Sequence, residues 1–267
     1  MYRFFFSVLA GLLMGIAVSA QPLSITEQNF RGIRKAAFYT SVTDSAGKII
    51  QQRSLDHTCA YDTTGRLLFL EFYASGTVYK RMMFTYDASG KITRETEISS
   101  QGLITETNYV YRTTGSNHSS YFKQQGGKTI AFYTVYNDSL TGTKTVTEWP
   151  DSSAASGSAR NEWIYNGDGK LVRTMATKGF VEYRYDSLGS LSAEIHRQFT
   201  DGQCSSYIVI DHNNVYKSGR LSSSSTKMQS TEFGYDKQGR ITREIIHFEE
   251  GGQKRNSTTE AEFEYWQ

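Results

Sequence analysis

Apolar and polar residues alternate along most of this chain with a period of two. In one run, Val78, Lys80, Met82, Phe84 and Tyr86 are predicted on one face and Tyr79, Arg81, Met83 and Thr85 on the other. The next run predicts Ile92, Arg94, Thr96 and Ile98 on one face and Lys91, Thr93, Glu95 and Glu97 on the other. Such alternation is typical of β-strands, whereas an amphipathic helix needs a period near 3.6. Because no helical spacing is sustained after residue 20, we predict an all-β protein.

A seven-residue motif, Tyr-Asp-x-x-Gly-(Lys/Arg)-(Ile/Leu), recurs between these runs. Complete or nearly complete copies begin at Tyr61, Tyr86, Tyr165, Tyr185 and Tyr235. The tyrosines at 61, 86, 111 and 136 are 25 residues apart, and those at 185 and 235 are 50 apart. The copies at 111 and 136 are degenerate, and the copy expected near Ile210-Asp211 has changed most. Self-similarity at a fixed interval indicates one repeated structural unit.

The motif has the chemistry of a tight hairpin turn. An aspartate side chain accepts hydrogen bonds from amides two residues on, and glycine adopts the positive φ that such turns need. The turn residues are Tyr61, Asp62 and Gly65; Tyr86, Asp87 and Gly90; Tyr165 and Gly169; Tyr185, Asp186 and Gly189; and Tyr235, Asp236 and Gly239. A second turn signal lies midway in each unit, as at Ser75-Gly76 and Gly251-Gly252. We therefore predict a long antiparallel meander of repeated hairpins with roughly sixteen to eighteen strands.

The residue two places before the motif tyrosine is large and usually aromatic. It is Phe84, Tyr109, Trp163, Tyr183 or Phe233. Rings at this spacing share one face of a sheet, where cross-strand aromatic pairs are stabilising, so we predict a core ladder. The charges in Arg94-Glu95 and Arg243-Glu244 are expected to form cross-strand pairs on the polar face.

The first 20 residues predict a secretory signal peptide. They contain Arg3, an apolar run from Phe4 to Val18 and a small-residue cleavage site before Gln21, which are the parts of such a peptide. Residues 21–267 are then predicted to be one exported domain in the periplasm, at the cell surface or secreted, with no membrane span after cleavage. Residues 150–158, rich in serine and alanine, are a predicted loop insertion.

Charge and cysteine content restrict the function classes. The formal net charge is +2 and no basic block occurs, which argues against a nucleic-acid partner. Cys59 and Cys204 are the only cysteines. Export permits a disulfide between them, but a meander brings them together only if the sheet curls back on itself, so we expect two buried thiols, with the disulfide as the alternative.

Residues that carry chemistry are sparse. Five histidines occur singly, without the spacing of metal ligands, so we expect no metal, no cofactor and no enzymatic activity. A carboxylate pair acting on a glycan remains open, because such partners meet only on folding. Trp149 and Trp163 flank the insertion and are the candidate residues for stacking on a sugar or peptide.

The repeated Tyr-Asp-x-x-Gly motif resembles that of the YD-repeat, or Rhs-type, proteins. The resemblance is sharp only at residues 61–67, 86–92, 165–171, 185–191 and 235–241. Large members of that family build a spiralling β-shell around a toxin domain. The resemblance implies the strand-turn-strand unit here, but not the toxin. The chain is also similar to short exported proteins with this motif, some of them described as porin-like barrels.

A sheet of this many strands must curve, because a flat one would leave an apolar face and a free edge in water. We expect a curved or wrapped single sheet, with a closed porin-like barrel as the alternative. The predicted function is a non-catalytic exported β-repeat scaffold that binds an envelope protein or a glycan. An outer-membrane barrel and, less favoured, an exported glycan-acting hydrolase are the alternatives.

Overall fold

The fold of the computed structural model is described for residues 30–113, 115–149, 161–176, 178–200 and 203–266. These residues form nineteen β-strands in one antiparallel sheet, which confirms the all-β prediction with slightly more strands than expected. The predicted signal peptide at 1–20 and the predicted insertion at 150–158 lie outside the described residues. None of the described residues belongs to a helix long and apolar enough to cross a membrane.

The strands follow one another along the chain, joined by short turns. The first nine are β1 (Ile33–Asp44), β2 (Ile49–Tyr61), β3 (Leu67–Ala74), β4 (Thr77–Tyr86), β5 (Ile92–Ser99), β6 (Ile104–Thr113), β7 (His118–Gln125), β8 (Lys128–Asn137) and β9 (Lys144–Trp149). The others are β10 (Asn161–Tyr165), β11 (Leu171–Ala176), β12 (Gly179–Tyr185), β13 (Leu191–Thr200), β14 (Gln203–Asp211), β15 (Asn213–Lys217), β16 (Arg220–Ser225), β17 (Gln229–Tyr235), β18 (Ile241–Glu250) and β19 (Gln253–Tyr265).

The sheet wraps into a nearly closed barrel. Each strand from β1 to β13 pairs with the next, each strand from β15 to β18 does the same, and β1 pairs with β19 as well as with β2. The break lies between β14 and β15, which follow each other around His212. On the two sides of this break, β14 pairs with β13 and β15 pairs with β16. We call this break the seam. The wrapped meander is therefore confirmed, and it comes close to the barrel alternative.

The motif forms the turns that the sequence predicts. At Tyr86, the Asp87 amide donates to the Lys91 carbonyl at 2.9 Å and the Gly90 amide to the Asp87 carbonyl at 3.0 Å. The Asp87 carboxylate accepts from the Lys91 amide at 2.9 Å. Gly90 has φ of 83°, which glycine adopts without steric cost. We call each such turn a corner, and the barrel end that carries the corners following β2, β4, β10, β12 and β17 the corner rim.

A bulge after each motif tyrosine corrects one sequence prediction. In the β4–β5 ladder Tyr86 pairs with Ile92 but Thr85 pairs with Arg94, so Thr93 is an extra residue. Residues directly opposite in a ladder share a face. Glu95 is opposite Phe84, so it lies on the face of the aromatic ladder, and Arg94 lies on the other face. Cross-strand ion pairs form for the two arginines as expected, between Arg94 and Glu106 and between Arg243 and Glu260. The predicted polar face is wrong for Glu95 and Glu244, because a one-residue slip inverts the alternation.

The most degenerate copy of the motif lies further along the chain than expected. The chain continues past Ile210-Asp211 and His212 into β15, and turns only at Ser218-Gly219, where φ is 51° and 76°. The corner of this repeat is therefore Tyr216-Lys217-Ser218-Gly219-Arg220-Leu221. It falls 31 residues after Tyr185 and 19 before Tyr235, so the overall interval of 50 is kept.

The core lies on the inner face, at the corner rim and along the first half of the sheet. It is formed by aromatic and aliphatic side chains of the ladder, among them Ile33, Phe38, Tyr61, Met82, Phe84, Tyr109, Tyr121, Tyr133, Val146, Tyr165 and Ile241. Tyr121 stacks on Tyr133 with centroids 4.6 Å apart. Of the predicted ring ladder, Phe84 and Tyr109 are buried core and Trp163 and Phe233 pack against it, whereas Tyr183 lies outside this cluster.

Candidate functional site

The corners stack on one another around the corner rim. The basic residue of one corner lies over the tyrosine ring of the next, as in Arg66 over Tyr86 (5.2 Å), Lys91 over Tyr111 (5.2 Å), Lys170 over Tyr185 (5.1 Å), Arg220 over Tyr235 (5.7 Å) and Arg240 over Tyr265 (4.8 Å). Such cation–π contacts contribute about 0.5–1 kcal/mol at exposed sites. The Tyr86 hydroxyl also donates to the Leu67 carbonyl of the preceding corner at 2.6 Å, so each tyrosine is held by the corner before it.

The corner glycines lie against the same basic side chains. A Cβ on Gly189 would lie 2.6 Å from Lys170 Nζ, and one on Gly239 would lie 2.7 Å from an Arg220 guanidinium nitrogen. The motif residues are therefore fully occupied in holding successive hairpins together. A ligand site is therefore expected in another part of the barrel.

A polar cluster lines the inner face of β5 to β9. The Tyr109 hydroxyl donates to Glu95 at 2.8 Å. Lys123 Nζ lies between two rings, 5.4 Å from the centre of Tyr109 and 5.3 Å from that of Tyr133. Burial lowers the pKa of the Lys123 ammonium, whereas the carboxylates of Glu95 and Glu148 act to raise it. The inner face is thus charged as well as aromatic.

A second inward carboxylate lies next to the seam. Glu194 on β13 is within 3.1 Å of His212 Nε2 and within 3.2 Å of His196 Nε2. The hydrogen bond with His212 is the main cause of a lowered pKa at Glu194, and burial opposes it. Because His212 is the residue between β14 and β15, this contact holds the chain where it crosses the seam.

Glu95, Glu194 and Glu244 occupy equivalent positions nine residues after the motif tyrosine. Each is directly opposite the large residue two before that tyrosine, namely Phe84, Tyr183 and Phe233. The sequence carries a signal for them, because Thr-Arg-Glu recurs at 93–95 and 242–244. Among the described residues, no group of histidine, cysteine or carboxylate side chains has the arrangement of a metal site.

The two candidate tryptophans lie on opposite faces of the sheet. Trp163 is opposite Val146 and packs on the inner core. Trp149 is opposite Phe132, which stacks on Phe122 at 4.6 Å, and its indole donates to Thr134 at 3.0 Å. The structure therefore does not bring the pair together in one stacking site, and Trp149 alone belongs to an aromatic cluster on the outer face.

The outer wall carries ion pairs between neighbouring strands. Arg34 meets Glu264 at 2.8 Å, Arg53 meets Glu260 at 2.9 Å and Glu262 at 2.7 Å, Arg94 meets Glu106 at 3.5 Å and Arg243 meets Glu260 at 3.9 Å. The arginine side chains in these pairs are 45–56% exposed. Each exposed pair contributes little to stability, about 0.2–1 kcal/mol, but the set makes this face polar.

An open depression of about 350 Å3 lies at β10 to β12. It is lined by Ile164, Val172, Arg173, Glu182, Tyr183 and Arg184. Arg173 and Glu182 form an ion pair of 2.5 Å there. Its lining is mixed, with aliphatic side chains beside this ion pair.

The cysteines are both free. Cys59 is buried as expected, whereas Cys204 is exposed, so the prediction of two buried thiols is wrong for Cys204. Burial raises the pKa of the Cys59 thiol to about 12, and a hydrogen bond with Tyr61 acts against this. Cys59 lies on the inner face opposite Leu70 and Ala36, so it belongs to the core.

No protein-family model matches the chain. No curated protein is similar to it in sequence either. Solved structures with similarity include a porin-like protein from Bacteroides uniformis, at 12% identity over 87% of this chain and 98% of that one, with a TM-score of 0.36. A porin-like protein from Bacteroides vulgatus has 11% identity over 88% and 98%, with a TM-score of 0.32.

A third similar structure is the complex TcdB2-TccC3-Cdc42, at 11% identity over 83% of this chain but only 18% of that one, with a TM-score of 0.25. All three similarities are low in sequence and in superposition. Membership of the YD-repeat family therefore stays a prediction based on the motif, and the arguments below use only this chain's own residues.

Proposed function

We propose that the protein is a non-catalytic β-repeat scaffold of the cell envelope, exported by its predicted signal peptide, with a wall that faces water and binds a protein or glycan. The observation that supports this most directly is the polarity of the wall. The clustered core side chains point inward and arginine–glutamate pairs such as Arg94–Glu106 and Arg53–Glu262 point outward, with Phe122, Phe132 and Trp149 as an aromatic cluster on the outer face.

The outer-membrane barrel is the second candidate, and the nearly closed order of strands favours it. A membrane barrel needs an outward apolar band, and an outward arginine at the bilayer midplane costs about 2–4 kcal/mol. Exposed outward arginines occur near the corner rim on β1, β5, β11 and β18, and at mid-strand on β2 and β4, where they are Arg53 and Arg81. Their distribution around the wall supports water, rather than lipid, as its surroundings.

Fractionation distinguishes these two candidates. Cells expressing the full chain are lysed without detergent, and the envelope is washed with carbonate, with a known porin processed in parallel. We expect the protein in the soluble and wash fractions and the porin in the pellet. If the protein requires detergent for extraction and conducts ions in planar bilayers, the water-facing scaffold is wrong.

The depression on β10 to β12 is the proposed binding place. Binding to a panel of envelope glycans and peptides is measured for the wild type, Arg173→Ala and Arg243→Ala. Both arginines form an outward ion pair, but only Arg173 lines the depression. We expect binding to weaken about tenfold for Arg173→Ala alone, since a hydrogen bond to a charged group is worth about 1.5–3 kcal/mol. Equal effects would argue against this location, and turnover of any glycan would support the hydrolase alternative.

A further inference from the structure

A row of side chains crosses four neighbouring strands on the outer face of the sheet. Its members are directly opposite one another and come one from each strand: Met175 on β11, Phe180 on β12, Arg197 on β13 and Tyr207 on β14. Residues directly opposite in a ladder share a face. The row points outward, because Thr174, next to Met175, is opposite Trp163 of the inner face. We call Phe180, Arg197 and Tyr207 the ring platform.

The Arg197 guanidinium is held between two aromatic rings. Its central carbon lies 5.4 Å from the centre of Phe180 and 5.2 Å from the centre of Tyr207. Such contacts attract a cation to the face of each ring. Because the planar fork of an arginine loses less conformational entropy per hydrogen bond when it is already oriented, Arg197 is prepared to bind a ligand.

Arg197 has no carboxylate partner among the described residues. Other outward arginines have one, namely Arg34, Arg53, Arg81, Arg94, Arg173 and Arg243. Glu182 on β12 shares the outer face but is paired with Arg173. Arg197 Nε is buried without a hydrogen-bond partner, and the terminal nitrogens have none within the described part of the chain. The guanidinium therefore keeps its donors for an anion.

The Tyr207 ring has a second face that no strand covers. One face lies against Arg197. The other is directed towards the seam, where β14 pairs with β13 alone and β16 pairs with β15 only from Asn213 onward. Tyr207 is 58% exposed, and Val209, on the same face of β14, is 42% exposed. An open ring thus lies directly beside an unpaired cation.

A sugar that carries a carboxylate matches this arrangement. The C–H face of a pyranose stacks on an aromatic ring, and a carboxylate accepts two parallel hydrogen bonds from a guanidinium. Tyr207 and Arg197 are on adjacent strands, which are about 4.8 Å apart, so one sugar unit can reach both. An acidic peptide supplies the carboxylate but has no sugar face for the ring, and it therefore uses only half of the platform.

We propose that the ring platform binds an acidic glycan, with a uronate carboxylate on Arg197 and its sugar ring on Tyr207. This inference rests on the proposed function as a binding scaffold and names the class of ligand. Arg173 joins the platform to the depression, because it lines the depression and lies 5.4 Å from the centre of Phe180. A glycan chain on the platform therefore continues towards β11 and β10.

The charge of the sugar tests the ligand class. Binding to the wild type is measured by calorimetry for oligogalacturonate, for the same oligosaccharide with its carboxylates methyl-esterified, and for polyglutamate. The ionic strength is about 0.15 M, at which exposed charges are screened beyond about 8 Å. We expect oligogalacturonate to bind about tenfold more tightly than its ester, because the ester makes no charge-assisted hydrogen bond. Polyglutamate should bind no better than the ester.

Variants of the platform locate the site. Arg197→Ala should weaken the binding of oligogalacturonate about tenfold, and Arg197→Lys should restore only part of it, since an ammonium lacks the planar fork. Tyr207→Phe keeps the ring and should bind like the wild type, whereas Tyr207→Ala should bind more weakly. Arg112→Ala is the matched control. Arg112 also points outward, lies 4.8 Å from the centre of Phe122 and has no carboxylate partner among the described residues, so its removal should leave binding unchanged.

Four outcomes overturn the proposal. They are no binding of oligogalacturonate to the wild type, equal binding of its ester, equal binding of polyglutamate, and equal losses for Arg197→Ala and Arg112→Ala. Circular dichroism and thermal unfolding show whether each variant is folded. If Arg197→Ala is misfolded, the comparison of ligands on the wild type and the Tyr207 variants decide.

Failure of this inference is distinct from failure of the proposed function. A neutral glycan or peptide whose binding is weakened by Arg173→Ala but not by Arg197→Ala retains the scaffold and excludes the acidic ligand. A protein that needs detergent for extraction and conducts ions excludes the water-facing scaffold itself.

Discussion

The stacking of corners around the rim predicts that two glycines with the same backbone conformation differ in their tolerance of alanine. Gly65 has φ of 88° and Gly47 has φ of 83°. A Cβ at Gly65 would lie 3.0 Å from both Cα and N of Arg31, whereas a Cβ at Gly47 has nothing within 4 Å. The difference arises because the Gly47 turn joins β1 to β2 at the end of the barrel opposite the corner rim, so no other corner packs on it.

The magnitudes follow from the two environments. In either variant the left-handed conformation costs alanine about 1–2 kcal/mol. Alanine also lowers the conformational entropy of the unfolded chain, which offsets about 0.4–1 kcal/mol of that cost. Gly65→Ala also forces a methyl group against backbone, and overpacking of this kind costs about 1–3 kcal/mol. We expect a loss of about 1 kcal/mol for Gly47→Ala and about 2–4 kcal/mol for Gly65→Ala.

Urea unfolding followed by circular dichroism measures both values. Hydrogen exchange provides a local control, because the Ile33 amide donates to the Phe30 carbonyl at 3.0 Å beside the Gly65 contact. Exchange at Ile33 should accelerate in Gly65→Ala and stay unchanged in Gly47→Ala. Equal losses of stability in the two variants would refute the idea that one corner supports the next.

Three further predictions concern single side chains. Tyr86→Phe should lose about 1–2 kcal/mol of unfolding free energy in urea, because it leaves the Leu67 carbonyl without its donor. Glu194→Gln should flatten the acid side of the stability–pH curve. The pKa of Glu194 is lower in the folded protein than in the unfolded chain. The stabilisation that ionised Glu194 provides is therefore fully present above the unfolded pKa near 4.3 and is lost as the pH falls through the folded value. A thiol reagent at pH 7 should modify Cys204 in the folded protein and Cys59 only after unfolding, because burial raises the Cys59 pKa to about 12; modification of both at the same rate would contradict the buried position.

The local parts of this fold could be predicted from the sequence, because each corner is determined by its own residues. Asp62 and Gly65 supply the hydrogen bonds and the positive φ within five residues. The faces of the strands after a corner could not be obtained from alternation alone. The bulge at Thr93 adds one residue, and this moved Glu95 from the predicted polar face to the inner one. The stacking of Arg66 on the next tyrosine joins repeats 20 residues apart, which a pattern within one repeat does not reveal.

The position of the seam follows from one departure from the motif. At the Tyr185 corner the basic position is occupied by Ser190, which is only 1% exposed. This corner therefore lacks the cation that would lie over the next tyrosine, and Asp186 instead accepts from Asn214 at 2.9 Å and from the Tyr216 hydroxyl. Continuing the β13–β14 register places Asn213 level with Leu191, so Tyr216 lies three residues beyond that level, whereas Tyr235 lies one residue beyond the level of Leu221. The next hairpin is thus shifted by two residues, and Asn214 Nδ2 donates to the Leu191 carbonyl there. A barrel needs a net stagger between its strands to close. Here one joint adds a shift of two residues to that stagger, and the same joint leaves one edge of β14 without a partner strand in the described residues.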